Sequence, residues 1–152
     1  METIKSPRGS ELITLVQHFS EPIPHPSELT DAKDNVKLQH WYVASPFSSD
    51  DCKDTEKWVN QINLVTAFLI EAYPGVSIFT PVSYTSSFAH TKCKPPGGWY
   101  AACLHHLEKC NRIIIVALEG WEQSIGIAAE VGAAYVKRMK ISMINPEDVI
   151  RK

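Results

Sequence analysis

The sequence predicts a single-domain α/β fold, a flavodoxin-like or Rossmann-like parallel sheet of four to five strands with helices on both faces. Its length of 152 residues suits one domain. From residue 39 onward, short apolar runs alternate with longer stripes of helical periodicity, which is typical of βαβ units. The run Ile113–Leu118 is continuously apolar, as expected for a central strand buried on both faces.

The elements follow in the order strand, helix, repeated four times. Strands are predicted at 39–44, 76–80, 112–118 and 141–144. Helices are predicted at 52–73, 99–109, 124–139 and from 146. The first helix carries one apolar stripe: Trp58, Ile62, Val65, Leu69 and Tyr73. Pro74-Gly75 ends it, while Ser124 and Asn145 suit the N-caps of the last two helices.

Residues 1–37 differ from the rest, and we interpret them as an N-terminal extension to an α/β domain at 38–152. Pro22, Pro24 and Pro26 exclude a helix there and favour an extended path. Residues 10–18 could form a short helix or strand. This extension could pack on the core or on a second subunit.

Composition narrows the class of function. The net charge of −2 argues against a partner of duplex nucleic acid and favours a small molecule. No run approaches 18 apolar residues, so no membrane partner is expected. The N-terminus lacks the apolar core of a signal peptide, and four cysteines without a C-x-x-C pair suit a reducing, cytoplasmic setting.

Ligands of parallel sheets bind at the carboxyl ends of the strands. After residue 118 the chain runs through Gly120-Trp121 to Ser124 and Gly126, at a helix start that could hold a phosphate or sugar hydroxyl. Glu130 shares a helix face with Gly126 and could face the same crevice, although it could also be an ordinary surface glutamate. Further candidate substrate-binding residues in the loops are Ser45, Phe47, Tyr84, His90 and Trp121.

Several of these segments together resemble the nucleoside 2-deoxyribosyltransferase-like superfamily, over about residues 40–145. The matching segments are Tyr42-Val43-Ala44-Ser45-Pro46-Phe47, Phe79-Thr80-Pro81, Cys110-Asn111 before the apolar strand, and Gly120-Trp121 with Ser124-Ile125-Gly126, Glu130 and Gly132-Ala133-Ala134. The Gly-Trp form is similar to a largely uncharacterised branch.

The resemblance implies cleavage or exchange of the N-glycosidic bond of a (2-deoxy)nucleoside or nucleotide, without a cofactor. Glu130 matches the catalytic nucleophile, and Tyr42 matches the tyrosine that orients it. A strand aromatic without a catalytic role is the alternative for Tyr42. Family members commonly form oligomers, so a homo-oligomer, dimer or tetramer, is expected.

One position departs from the family pattern. Cys103 lies where relatives that cleave the glycosidic bond commonly carry an aspartate. Cys103 is a possible acid, although a buried inert thiol is an equal alternative. His90, His105 or His106 could supply the proton instead. The departure favours a second hypothesis, a non-catalytic nucleotide-binding or sensing module on the same scaffold.

A metal site is not expected. Cys93, Cys103, His105, His106 and Cys110 lie close in sequence, but their spacing does not match a tetrahedral zinc signature.

Overall fold

The computed structural model describes residues 9–30, 39–46, 52–81 and 98–150. Its strands are β1 (His40–Ala44), β2 (Ser77–Phe79), β3 (Arg112–Val116) and β4 (Lys140–Ile144). Its helices are α1 (Ser10–Phe19), α2 (Pro26–Thr30), α3 (Cys52–Ala72), α4 (Trp99–Leu107), α5 (Ile125–Val136) and α6 (Pro146–Ile150), with a 3-10 turn at Trp121–Gln123.

The four strands form one parallel sheet in the order β2-β1-β3-β4. The α/β prediction is therefore confirmed, and the predicted elements lie within a few residues of their observed bounds. All five residues of β3 are buried, as the apolar run indicates. Of the five predicted stripe residues, three in α3 are buried, as is Tyr73 directly after it, and Trp58 is partly buried.

The strand order determines on which face of the sheet each helix packs. The chain moves from β1 to β2 in one direction and from β2 to β3 in the other, so right-handed crossovers put α3 and α4 on opposite faces. Helix α3 packs with α6, and α4 packs with α5. The direction reverses between β1 and β3, which is where α/β sheets open a crevice at their carboxyl ends.

The N-terminal segment packs on the same core. Leu12 and Val16 of α1 are fully buried, and Ser20 forms a parallel bridge to Ile141 of β4. Of the two structures left open for residues 10–18, the helix forms. The prediction that the prolines exclude a helix is wrong at Pro26, which begins α2, because the first position of a helix needs no N–H donor.

The described residues include no helix that is both long and apolar enough to cross a membrane.

Candidate active site

Glu130 is the central residue of the candidate site, and it is not an ordinary surface glutamate. It lies midway along α5, with only 6% of its surface exposed. Gly126, one turn earlier, is also buried, as the shared helix face predicts. Burial of a carboxyl costs free energy unless it is paired, so this position is typical of functional groups.

Two further groups lie beside Glu130, each from another element. Tyr42 of β1 is fully buried, in register with Phe79 of β2 and Ile113 of β3. Cys103 of α4 is 4% exposed. The Tyr42 hydroxyl interacts with both Glu130 and Cys103. We call Tyr42, Cys103 and Glu130 the acidic cluster, because each of these side chains can lose a proton and none of them can carry a positive charge.

Hydrogen bonding within the acidic cluster is incomplete. The Tyr42 Oη and the Glu130 Oε2 are buried, and neither has a partner with good hydrogen-bond geometry among the described residues. The Tyr42 hydroxyl is nevertheless close enough to perturb the ionisation of Glu130. The two side chains are therefore close neighbours that do not form a hydrogen bond with each other.

The burial of the cluster controls its ionisation. Burial raises the pKa of Glu130 to about 8, although its interaction with Tyr42 opposes the rise. Burial, followed by the charge of Glu130, raises the pKa of Cys103 to about 11. Burial raises the pKa of Tyr42 as well, and the nearby carboxylate raises it further. Burial therefore favours the protonated form of each of the three groups.

Two hydroxyl groups at the carboxyl ends of the neighbouring strands share this lack of partners. Ser45 follows β1 and Thr80 follows β2, and each side-chain oxygen is buried without a hydrogen-bond partner in the described part of the chain. Ser45 was predicted as a binding residue from the loop rule. Thr80 was not predicted as a binding residue, although a small polar residue between a strand end and a proline could have identified it.

The start of α5 follows the cap prediction. The Ser124 Oγ accepts a hydrogen bond from the Ile127 N–H at 3.2 Å. The earlier N–H groups of the helix have no partner within it, as at any helix start. Gly120 adopts a φ of 86°, which lets the chain turn from β3 into the 3-10 turn. Trp121 is partly buried and packs against the core.

The other predicted site residues differ in outcome. Phe47, Tyr84 and His90 lie outside the described residues, as does Cys93. His106 stacks on Phe79 with ring centroids 4.1 Å apart, and Phe79 contacts the Tyr42 ring at 5.6 Å. His106 is thus one ring removed from Tyr42. The Cys110 thiol donates to the His106 carbonyl, and no metal-binding group of three His, Cys, Asp or Glu side chains occurs in the described part of the chain.

Asn111 belongs to one of the motifs that carry the family resemblance, and its side chain forms two hydrogen bonds that stabilise the fold. Its Oδ1 accepts from the His40 N–H at 3.0 Å, and its Nδ2 donates to the Gln39 Oε1 at 3.1 Å. Both partners lie at the start of β1. Asn111 therefore joins the amino ends of β1 and β3, away from the carboxyl edge.

A cavity of about 360 Å³ also opens at the carboxyl edge, beyond β3 and β4. It is lined by residues of α3, of the segment 117–119 after β3, and of the segment 145–147 at the start of α6, and not by the acidic cluster. We place the candidate site at the cluster, because buried polar atoms without partners indicate function more specifically than an open cavity does.

A family model described as a domain of unknown function (DUF1937) matches residues 39–145. The chain belongs to the DUF1937 family. The DUF1937 match spans all four strands and includes Tyr42, Cys103 and Glu130. No curated protein matches the chain.

Proposed function

We propose that this DUF1937 protein cleaves or exchanges the N-glycosidic bond of a nucleoside or nucleotide. Glu130 is the nucleophile and Tyr42 orients it. The observation that supports the proposal is the buried Glu130 carboxyl with an unpartnered oxygen beside the Tyr42 hydroxyl. The resemblance to nucleoside 2-deoxyribosyltransferase-like proteins supports the same two roles.

The chemistry follows from the properties of a carboxylate. The ionised Glu130 oxygen attacks the anomeric carbon, while the bond from that carbon to the base nitrogen breaks and its electron pair leaves with the base. A glycosyl ester forms on Glu130. Water or a second base then attacks the same carbon and releases the carboxylate. A positioned phenol hydroxyl holds the reacting oxygen in line.

Binding of the remainder of the substrate is assigned to the carboxyl edge. The start of α5 at Ser124 and Gly126 offers N–H groups and a positive dipole end to a phosphate or sugar hydroxyl. The unpartnered hydroxyls of Ser45 and Thr80 are suited to hydroxyl or phosphate oxygens. Phe47, Tyr84, His90 and Trp121 remain candidates for contacts with the base.

The test is release of free base from 2-deoxynucleosides and their 5′-monophosphates, measured by chromatography. We expect release by the wild-type protein and a loss of at least about 100-fold in Glu130→Gln, the scale on which essential catalytic groups act. The matched control is Glu122→Gln, since Glu122 lies in the preceding 3-10 turn and is partly exposed. Equal release by wild type and Glu130→Gln would overturn the proposal.

A second candidate function is a nucleotide-binding or sensing module without catalysis. The specific observation in its favour is that the neighbour of Glu130 on α4 is the buried Cys103 thiol and not a carboxylic acid, and that burial raises the pKa of Glu130. This function predicts saturable binding of a nucleotide by calorimetry with no base released from any donor. Base release that depends on Glu130 would exclude it.

We also propose that the protein acts in the cytoplasm as a homo-oligomer. Large apolar side chains are exposed on α1 and α5, where Phe19, Tyr135 and Val136 are 46%, 41% and 58% exposed. The Phe19 and Tyr135 rings contact each other at 5.1 Å. Exposed apolar groups of this kind support an interface. Light scattering coupled to gel filtration tests it: a dimer or tetramer is expected, and a monomer would contradict it.

A further inference from the structure

The acidic cluster lacks a positive charge. Its three described members are a carboxyl, a phenol and a thiol, contributed by α5, β1 and α4. Arg112 pairs with Glu21 and Lys137 pairs with Glu108, so neither of these two cations pairs with Glu130. The nearest imidazole linked to the cluster by ring contacts is His106, which is separated from Tyr42 by the Phe79 ring.

This arrangement has a consequence for the nucleophile. Glu130 attacks only as an anion, and a buried anion is costly without a countercharge. The Glu130 Oε2 is buried and has no partner among the described residues. A bound ligand that carries a positive charge next to this oxygen would provide that countercharge, and it would ionise Glu130 at the moment of binding.

The leaving group presents a separate problem. A neutral nucleobase leaves as an anion unless an acid protonates it, and such general acids typically contribute about 10²–10⁴ in rate. The two groups beside Glu130 are poor acids at neutral pH, because burial raises the pKa of the Cys103 thiol to about 11 and raises that of Tyr42 as well. A leaving group that is already cationic departs as a neutral molecule and needs no acid.

Both observations lead to one substrate class. We propose that the glycosyl donor carries a positive charge on its leaving heterocycle, as in N-glycosides of pyridinium rings or of N7-alkylated purines. This inference rests on the proposed function and narrows its substrate. The Glu130 carboxylate forms the C–O bond as the C–N bond breaks. The electron pair neutralises the ring nitrogen, and water then hydrolyses the ester with release of one proton.

The experiment compares donors that share one sugar. The charged donor is nicotinamide 2-deoxyriboside, and its matched uncharged control is the 1,4-dihydro form of the same compound. 2-Deoxyadenosine and 2-deoxycytidine represent neutral bases. Released base is measured at pH 7.5, each spontaneous rate in buffer is subtracted, and Glu130→Gln is run in parallel. We expect kcat/KM to be at least about 100-fold higher for the charged donor.

The outcomes separate the two proposals. If the neutral nucleosides or the dihydro form are cleaved as fast as the pyridinium donor and cleavage depends on Glu130, this inference is overturned and the proposed function stands. If no donor releases base through Glu130, the proposed function fails and this inference fails with it.

A second variant tests the leaving-group argument within one protein. Cys103→Asp puts a carboxylic acid in place of the thiol. We expect the ratio of neutral-donor to pyridinium-donor kcat/KM to rise by about tenfold or more, part of the usual contribution of a general acid. The ratio does not depend on how much of the variant folds. A ratio that stays at the wild-type value in folded Cys103→Asp would contradict the argument.

Discussion

The two edges of the sheet differ in whether their buried polar groups have hydrogen-bond or ion-pair partners. At the amino edge, Arg112 at the start of β3 donates to Ser142 Oγ at 2.6 Å and pairs with Glu21 at 3.1 Å. The Tyr73 hydroxyl donates to the Pro24 carbonyl at 2.7 Å. At the carboxyl edge and just below it, Tyr42, Ser45, Thr80 and Glu130 each have a buried side-chain oxygen without a partner.

This difference indicates that the amino edge stabilises the fold, and it supports the proposal that the carboxyl edge binds the substrate. Hydrogen bonds and an ion pair at the amino edge connect the N-terminal segment to β3 and β4. One buried atom at this edge, the Arg112 Nε, has no partner among the described residues. Unpaired groups at the carboxyl edge cost stability and are tolerated where a ligand completes them.

The largest expected effect is the pH dependence of stability due to Glu130. Its folded pKa, about 8, lies above its ordinary value of 4.5, so folding favours the protonated form. That stabilisation is complete below pH 4.5 and is lost as the pH rises to 8. The free energy of unfolding of wild type minus that of Glu130→Gln should fall by about 1.4 kcal/mol per pH unit between pH 5 and 8.

Urea denaturation at four pH values measures this difference. Glu71→Gln, which removes an exposed carboxyl on α3, is the control. A flat difference for Glu130→Gln between pH 5 and 8 would show that Glu130 ionises normally.

The next largest effect is expected at the amino edge. Arg112→Ala removes the hydrogen bond to Ser142 and the ion pair with Glu21, and should lower the free energy of unfolding by about 3 kcal/mol. Lys137→Ala breaks the exposed pair with Glu108 and should cost less than about 1 kcal/mol. Equal losses in chemical denaturation would contradict a stabilising role for the amino edge.

A smaller loss is expected for Tyr73→Phe. The change removes only the hydroxyl that donates to the Pro24 carbonyl, so unfolding should become easier by about 1 kcal/mol. Thermal unfolding monitored by circular dichroism measures it. An unchanged midpoint would mean that this bond does not hold the segment before α2 on the core.

The smallest effect has the opposite sign. Thr80→Val replaces a buried, unpartnered hydroxyl by a methyl group of similar size, so stability should rise by about 0.5 kcal/mol. Substrate binding should weaken, because the ligand can no longer form a hydrogen bond with the Thr80 hydroxyl. A loss of stability comparable with that of Tyr73→Phe would show that Thr80 has a partner in solution.

The sequence was informative wherever a local pattern determines the structure. The apolar run of β3, the stripe of α3 and the cap at Ser124 all follow from periodicity and from helix ends, and each is confirmed. Alternation along the chain also placed the carboxyl edge correctly, since parallel strands need crossovers.

The remaining features depend on contacts between distant residues. Spacing predicts that Glu130 shares a face with Gly126, but it does not reveal that α5 presses that face onto Tyr42. Nor does it reveal that Cys103 lies against the same hydroxyl. The pairing of Arg112 with Ser142 joins neighbouring strands 30 residues apart in the chain, and no short motif signals it.

The central claim is that the unpaired carboxylate of Glu130 becomes covalently glycosylated. The most direct measurement is the mass of the intact protein, and then of its peptides, after incubation with a 2-deoxy-2-fluoro nucleoside that slows release of the ester. The account predicts one added glycosyl group per chain, on the peptide that contains Glu130, and no addition in Glu130→Gln. Base release without any adduct, or an adduct that persists in Glu130→Gln, would contradict it.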